Sequence, residues 1–203
     1  MKKIDLKKDL KHLYASSAKK ISVVDVPVMK YLTIDGKGDP NKTKEFSEAV
    51  EALYAVAYTI KFMLKKGKQQ IDFGVMPLEG LWWMPKMEEF STGRKDDWLW
   101  TMMIVQPDFI TEQIVEEAIK IVKEKKNPAA LSKLRFEPYT EQLSAQILYV
   151  GPYADEKPTI EKLHQFIADS GKKRSGKHHE IYLSDPRKSA PEKLKTIIRQ
   201  PMK

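Results

Sequence analysis

Apolar residues recur at three- and four-residue steps in two long segments. From about Lys42 to Lys66 the positions are Phe46, Val50, Leu53, Ala57, Ile60 and Leu64, the spacing of one face of a helix. Over 108–126 they are Ile110, Ile114, Val115, Ala118, Ile119 and Val122. That segment opens with an Asp or Thr cap, and Asn127-Pro128 ends it. Elsewhere the period shortens. Residues 21–35 are rich in β-branched side chains and broken by Pro27, which predicts a strand with an edge or bulge there. Residues 97–105 predict a clean strand, while 69–83 alternate imperfectly around Gly and Pro. The link PKMEEFSTGRKD reads as a hairpin loop.

The second half repeats the order of the first. A strand at about 142–150 leads to a Gly-Pro turn and a helix at about 155–169. A basic turn and a strand at about 178–184 follow, and the tail from Pro191 is predicted as a short helix. Both halves run strand, turn, amphipathic helix, strand. This predicts an α+β fold with a duplicated unit in a single domain over 1–203. The repeats lie at about 21–106 and 134–185, with a helical insertion at about 107–133 and a tail at 186–203.

Charge then invites a nucleic-acid or anionic-membrane reading, because the net is +8 over 203 residues. Its distribution removes that invitation. Residues 1–20 carry +5 and residues 172–203 carry +7, so the body at 21–171 is −4. Nucleic acid is disfavoured as a partner. No apolar run reaches the length of a membrane span, and MKKIDLKKDLKHLY lacks the core of a signal peptide. With zero Cys, structural disulfides and thiol catalysis are excluded, and a cytoplasmic setting is expected.

Cofactor motifs are missing. There is no GxGxxG, GxxxxGK[ST], GxSxG or HExxH, so no cofactor or metal is expected. His178 and His179 are neighbours that point to opposite faces of a strand, which does not suit chelation of one ion. His12 and His164 offer no haem pocket either. The turn KKRSGKHH can touch phosphate or simply be solvated.

Aromatic residues gather more tightly. Trp82 and Trp83 sit on one strand, Trp98 and Trp100 on the next, within 19 positions. On a period-two strand Trp98, Trp100 and Met102 share a face, so a hairpin of the two strands walls a cavity with indoles or else fills a core. Tyr58, Tyr139 and Tyr149 lie elsewhere. In HHEIYLSD, His178, Glu180 and Tyr182 share one face and His179, Ile181 and Leu183 the other. If the Glu180 face is inward, its carboxyl lies in an apolar site that raises its pKa and fits it for acid/base work. If the Ile181 face is inward, Glu180 is a surface residue.

LEGLWW, DDWLWTMMIVQP and above all HHEIYLSDPRKSAPEKLKTIIRQP resemble the stand-alone GyrI-like proteins, over nearly the whole chain from about Ile21. That resemblance implies two antiparallel sheets around a central ligand cavity, a fold shared with effector-binding domains of drug-sensing regulators and similar to SOUL-type haem-binding proteins. It implies an acidic pocket residue at Glu180 that receives lipophilic cations, or, as in relatives that are hydrolases, acts as the acid/base that opens the cyclopropane of DNA-alkylating natural products. Trp82, Trp98, Trp100, Tyr139, Tyr149, Tyr182 and Tyr58 are the pocket residues on this reading.

Residues 1–20 are too short for a helix-turn-helix segment, which argues against a one-chain regulator. The expected function is binding of a planar, lipophilic or cationic small molecule, with hydrolysis of a cyclopropane-bearing genotoxic xenobiotic as its activity. The alternative is a module that sequesters its ligand without turnover or binds a protein such as gyrase. Oligomeric state and enzymatic status are left open by the sequence.

Overall fold

A computed structural model describes residues 2–87 and 94–203. The chain starts with β1 (Lys2–Ile4) and two single-turn helices, α1 (Leu6–Asp9) and α2 (Lys11–Tyr14). The first half continues with β2 (Ser22–Val26), β3 (Met29–Lys37), α3 (Lys44–Lys66), β4 (Ile71–Phe73), β5 (Leu78–Trp83), β6 (Leu99–Gln106) and α4 (Glu112–Lys125). The second half holds β7 (Arg135–Tyr139), β8 (Gln142–Val150), α5 (Lys157–Asp169), β9 (His178–Tyr182) and β10 (Lys195–Pro201).

Eight of these strands form one antiparallel sheet, in the order β2-β8-β10-β9-β5-β6-β3-β7, and β1 pairs with β4 in parallel beside it. The fold is α+β. The two antiparallel sheets expected from the resemblance are present as four-stranded halves, joined edge to edge where β5 pairs with β9. Each half borrows its outermost strand from the other part of the chain. Residues 21–35 do not form one strand: Pro27, which has no N–H and a fixed φ, divides them. β2 then pairs with β8 at one end of the sheet, and β3 lies between β6 and β7 near the other.

The tail also differs from the expected helix. Pro191–Lys193 make only a 3-10 turn, after which the β-branched run Thr196, Ile197 and Ile198 enters β10 and pairs on both sides, with β8 and β9. The expected hairpin loop after β5 falls partly at 88–93, outside the described residues. β5 and β6 themselves pair antiparallel, with Trp82 opposite Trp100.

One face of the sheet carries the long helices. α3 packs on β3 and β6, and α5 packs on β8 and β10. The apolar periodicity of α3 buries Ala49, Leu53, Val56, Ala57, Ile60 and Leu64, and truncating one of the larger ones to Ala costs about 2–5 kcal/mol. Trp100 lies beneath this helix. It is closely fitted to Gly36 across the strand pair, where a Cβ would stand 2.1 Å from the indole. Between the two helices the central strands β5 and β9 are left open to a cleft.

The opposite face holds charge. His179 lies between two carboxylates, with Nδ1 2.8 Å from Glu141 and Nε2 3.0 Å from Glu79. Arg199 donates to Glu141 at 3.2 Å, to Gln146 at 2.9 Å and to the Leu13 carbonyl at 2.8 Å. Tyr14 donates to Glu79 at 2.6 Å. Burial pushes the His179 pKa down, yet the two carboxylates outweigh it and hold the imidazolium to about 9. Two cations and two anions thus balance, and the network locks the N-terminal segment onto the sheet.

Candidate functional site

Strand parity fixes the cleft floor. Gly80 pairs with Glu180 and Trp82 with His178 across the β5–β9 seam, which puts Trp82, Glu180 and Tyr182 on the helix-bearing side. Glu180 is buried, at 7% exposure. Its Oε1 lies 3.2 Å from His178 Nε2, and its Oε2 accepts from the Tyr182 hydroxyl at 2.7 Å. The Trp82 indole N–H donates to that hydroxyl at 3.1 Å. Trp82, Tyr182 and Glu180 therefore form one relay of donors ending on a carboxylate.

A second carboxyl completes the group. Glu156, at the start of α5, is buried and lines the same cleft as Glu180. Burial and the Glu180 charge push its pKa up to about 9. For Glu180, burial acts upward, but hydrogen bonds from His178, Tyr182 and Glu156 more than reverse it, and its pKa is lowered. The sequence expectation of a raised Glu180 pKa is thus corrected: it is the Glu156 pKa that is raised and the Glu180 pKa that is lowered, and the pair shares one proton. Burial also raises the Tyr182 phenol well above its ordinary range, with the Glu180 charge adding to it, so Tyr182 remains a donor at neutral pH.

Aromatic rings wall the space above. Trp98 meets Trp82 edge to face at 5.4 Å, Phe46 stacks on Trp82 at 6.1 Å, and Tyr153 meets Tyr182 edge to face at 5.7 Å. Lys95 lies over Trp98 at 5.4 Å. Gly80 keeps the floor flat, because a Cβ there would come within 2.6 Å of Met102 and 2.9 Å of the Trp82 nitrogen. The cleft measures about 1240 Å³.

Among the residues singled out from sequence, Glu180, Trp82, Trp98, Tyr182 and Tyr58 line this cleft. Trp100 does not: it is fully buried behind Phe46, edge to face at 5.6 Å. Tyr139 lies against Tyr31 at 6.2 Å, away from the cleft, and Tyr149 turns its hydroxyl to the Pro152 carbonyl at 2.9 Å. Sequence reading missed Glu156, Phe46, Tyr54 and Tyr153. Glu156 follows a Gly-Pro turn at a helix start, where an acid is ordinarily read as a complement to the helix dipole. Among the described residues no group of three or more His, Cys, Asp or Glu side chains is placed to hold a metal ion. Nor is any helix among them long and apolar enough to cross a membrane.

The model of the GyrI-like small-molecule binding domain matches residues 19–203. The chain belongs to the GyrI-like family. A conserved protein of known structure from Listeria innocua is 43% identical to this GyrI-like chain, covering 98% of it and 100% of its own length, with a TM-score of 0.90. A hydrolase from the same organism is 41% identical, with 98% and 100% coverage and a TM-score of 0.86. The C-terminal domain of EcmrR, 12% identical over 91% of this chain and 97% of that one at a TM-score of 0.57, shares the fold. No curated protein matches the sequence. An open, aromatic cleft of ligand size thus lies over β5 and β9 of this GyrI-like domain.

Proposed function

We propose that the cleft binds a flat lipophilic molecule, uncharged or cationic at the end that meets Glu180, and that the carboxyl pair catalyses addition of water to it. The single observation behind this reading is the pair itself: two buried carboxyls, Glu180 and Glu156, in one cleft under aromatic walls, with the Glu156 pKa raised and that of Glu180 lowered. Two carboxyls whose environments drive their pKa values apart are suited to serve as base and acid in one site. The Listeria hydrolase supports the reaction class.

The substrate that best uses this pair carries a strained three-membered ring conjugated to a carbonyl, as in cyclopropane-bearing genotoxic compounds. Glu180 takes a proton from water while the water oxygen bonds to the ring carbon. The ring C–C bond breaks, and its electron pair moves to the carbonyl oxygen, which receives the Glu156 proton. One water is added and no cofactor is consumed. Trp82 and Trp98 stack the flat skeleton, and Tyr182 fixes the Glu180 carboxylate through its 2.7 Å bond.

Binding is tested by titrating the protein with a flat aromatic ligand while following tryptophan emission. Strong quenching that weakens in Trp82→Phe is expected. An unchanged spectrum would remove the ligand site.

A further inference from the structure

One cation sits at the aromatic end of the cleft, and the reaction proposed above leaves it unused. Lys95 opens a 3-10 turn, Lys95–Asp97, that leads into β6. Its side chain is partly buried and lines the cleft, with the ammonium 5.4 Å from the centre of the Trp98 ring. Attraction between a cation and an indole face favours this position of the long side chain over one in open solvent. Trp98 in turn meets Trp82, whose N–H donates to Tyr182, the donor to Glu180. Lys95 and Glu180 therefore stand at the two ends of one run of contacts, with Trp82 between them.

The acids nearest Lys95 are taken by other partners. Asp96 pairs with Lys42 at 3.0 Å and Asp97 with Arg94 at 2.9 Å. Asp39 accepts from the backbone and side-chain nitrogens of Asn41 at 2.9 and 3.0 Å, and its second oxygen lies 3.9 Å from Lys42. Among the described residues Lys95 makes no ion pair. Its field nevertheless reaches Asp39 and Glu156, so Glu156 is within electrostatic reach of both Glu180 and Lys95. A partly desolvated ammonium without a carboxylate partner, in a site walled by rings, is a donor that gains from meeting an acceptor on a ligand.

We propose that Lys95 orients the ligand by donating a hydrogen bond from its ammonium to a carbonyl oxygen on a flat ring system that lies against Trp82 and Trp98. The contact gives the cleft a direction, with the carbonyl end of the ligand toward Lys95 and the other end toward Glu180. A second role rests on the reaction proposed above. There the same oxygen gains the electron pair of the broken ring C–C bond, and Lys95 stabilises it as its charge grows. The ammonium keeps its own protons, and the proton that ends on the oxygen is that of Glu156. The orienting contact itself needs no turnover.

Two flat probes that differ only in the carbonyl group test the contact: 9-fluorenone and fluorene, each measured against the full chain by equilibrium dialysis. Lys95→Met keeps the apolar stem and removes the charge. It is expected to weaken fluorenone about fivefold or more and to leave fluorene within about twofold. Lys95→Arg, which keeps a cationic donor, should recover part of that loss. In ring opening of a cyclopropane-bearing, carbonyl-conjugated compound, Lys95→Met should lower kcat about tenfold or more, beyond any change in KM, because the oxygen is more negative in the transition state than in the bound ligand.

Equal fluorenone affinity in wild type and Lys95→Met overturns the proposal. An equal loss for both probes, or a loss that Lys95→Arg does not recover in part, overturns it as well, because the stem and not the charge would then be making the contact. A Lys95→Met protein with the wild-type kcat overturns the second role. The two readings fail separately. If fluorenone responds as expected while the wild type opens no ring, the Lys95 contact stands and the reaction falls; if the wild type opens the ring while fluorenone ignores Lys95→Met, the reaction stands and the contact falls.

Discussion

Glu156 and Glu180 face one cleft, so a buried carboxyl at the start of α5 and one in the middle of β9 compete for a single proton. The folded state keeps Glu156 protonated to about 9, against an ordinary value of 4.5. A raised folded pKa contributes stability that is fully present below the ordinary value and is lost as pH rises through the folded one. Glu180, lowered by the fold, contributes in the opposite sense, and its share is lost at acid pH. Glu156→Gln should therefore remove its share of the alkaline loss, so the fall in urea midpoint from about pH 6 to pH 9, to which His179 also contributes, should be smaller in the variant than in the wild type. A variant that loses as much stability as the wild type over that interval would show that Glu156 does not hold the proton.

Gly80 tests the floor of the cleft without touching a charge. An added methyl group would meet Met102, the Trp82 nitrogen and the Tyr182 hydroxyl, forcing apart the donors that serve Glu180. Gly80→Ala is expected to weaken binding of a flat ligand by about tenfold or more, with a stability loss of about 1–3 kcal/mol. Gly74→Ala, which adds a methyl group to the lining of the same cleft where a Cβ meets nothing within 4 Å, is the control for added bulk alone. Equal ligand affinity in the two variants would contradict the role given to the floor.

His179 reports on the network behind that floor. Removing the imidazolium leaves Glu79 and Glu141 buried with less compensation, so His179→Gln should cost about 3–5 kcal/mol by denaturant unfolding. The His179 pKa is raised to about 9 from 6.5. Its contribution is therefore fully present below the ordinary value and lost as pH rises through the folded one. The deficit of the variant should accordingly shrink at about pH 9. A deficit independent of pH would mean that His179 is neutral in the fold.

Much of this architecture is legible in the sequence because it rests on local periodicity. α3, α4, β8 and β6 lie within a few residues of where the apolar spacing and the turn residues put them. β10 was hidden because Pro191-Glu192-Lys193 resembles a helix start, while the pairing that makes Thr196–Ile198 a central strand comes from β8 and β9, far along the chain. The burial of β9 defeated parity for a physical reason. Parity assumes one buried face, whereas His178, His179, Glu180 and Ile181 are all buried, since the side chains walling the cleft close over one side of the strand and a charged network fills the other. Glu180 could be named from its strand and from the resemblance, but its protonation could not. The partner that decides it, Glu156, lies on another element and is brought near only by the packing of α5.

The most direct measurement is mass spectrometry of a cyclopropane-bearing, carbonyl-conjugated aromatic compound incubated with the full chain and with Glu180→Gln and Glu156→Gln. The ring-opened product heavier by one water should form with the wild type, and its rate should fall about 100- to 10,000-fold in Glu180→Gln while tryptophan quenching by the same compound persists. Glu156→Gln should slow it as well. Ring opening at the wild-type rate in Glu180→Gln, or no ring opening by the wild type at saturating ligand, would contradict the proposed acid/base pair.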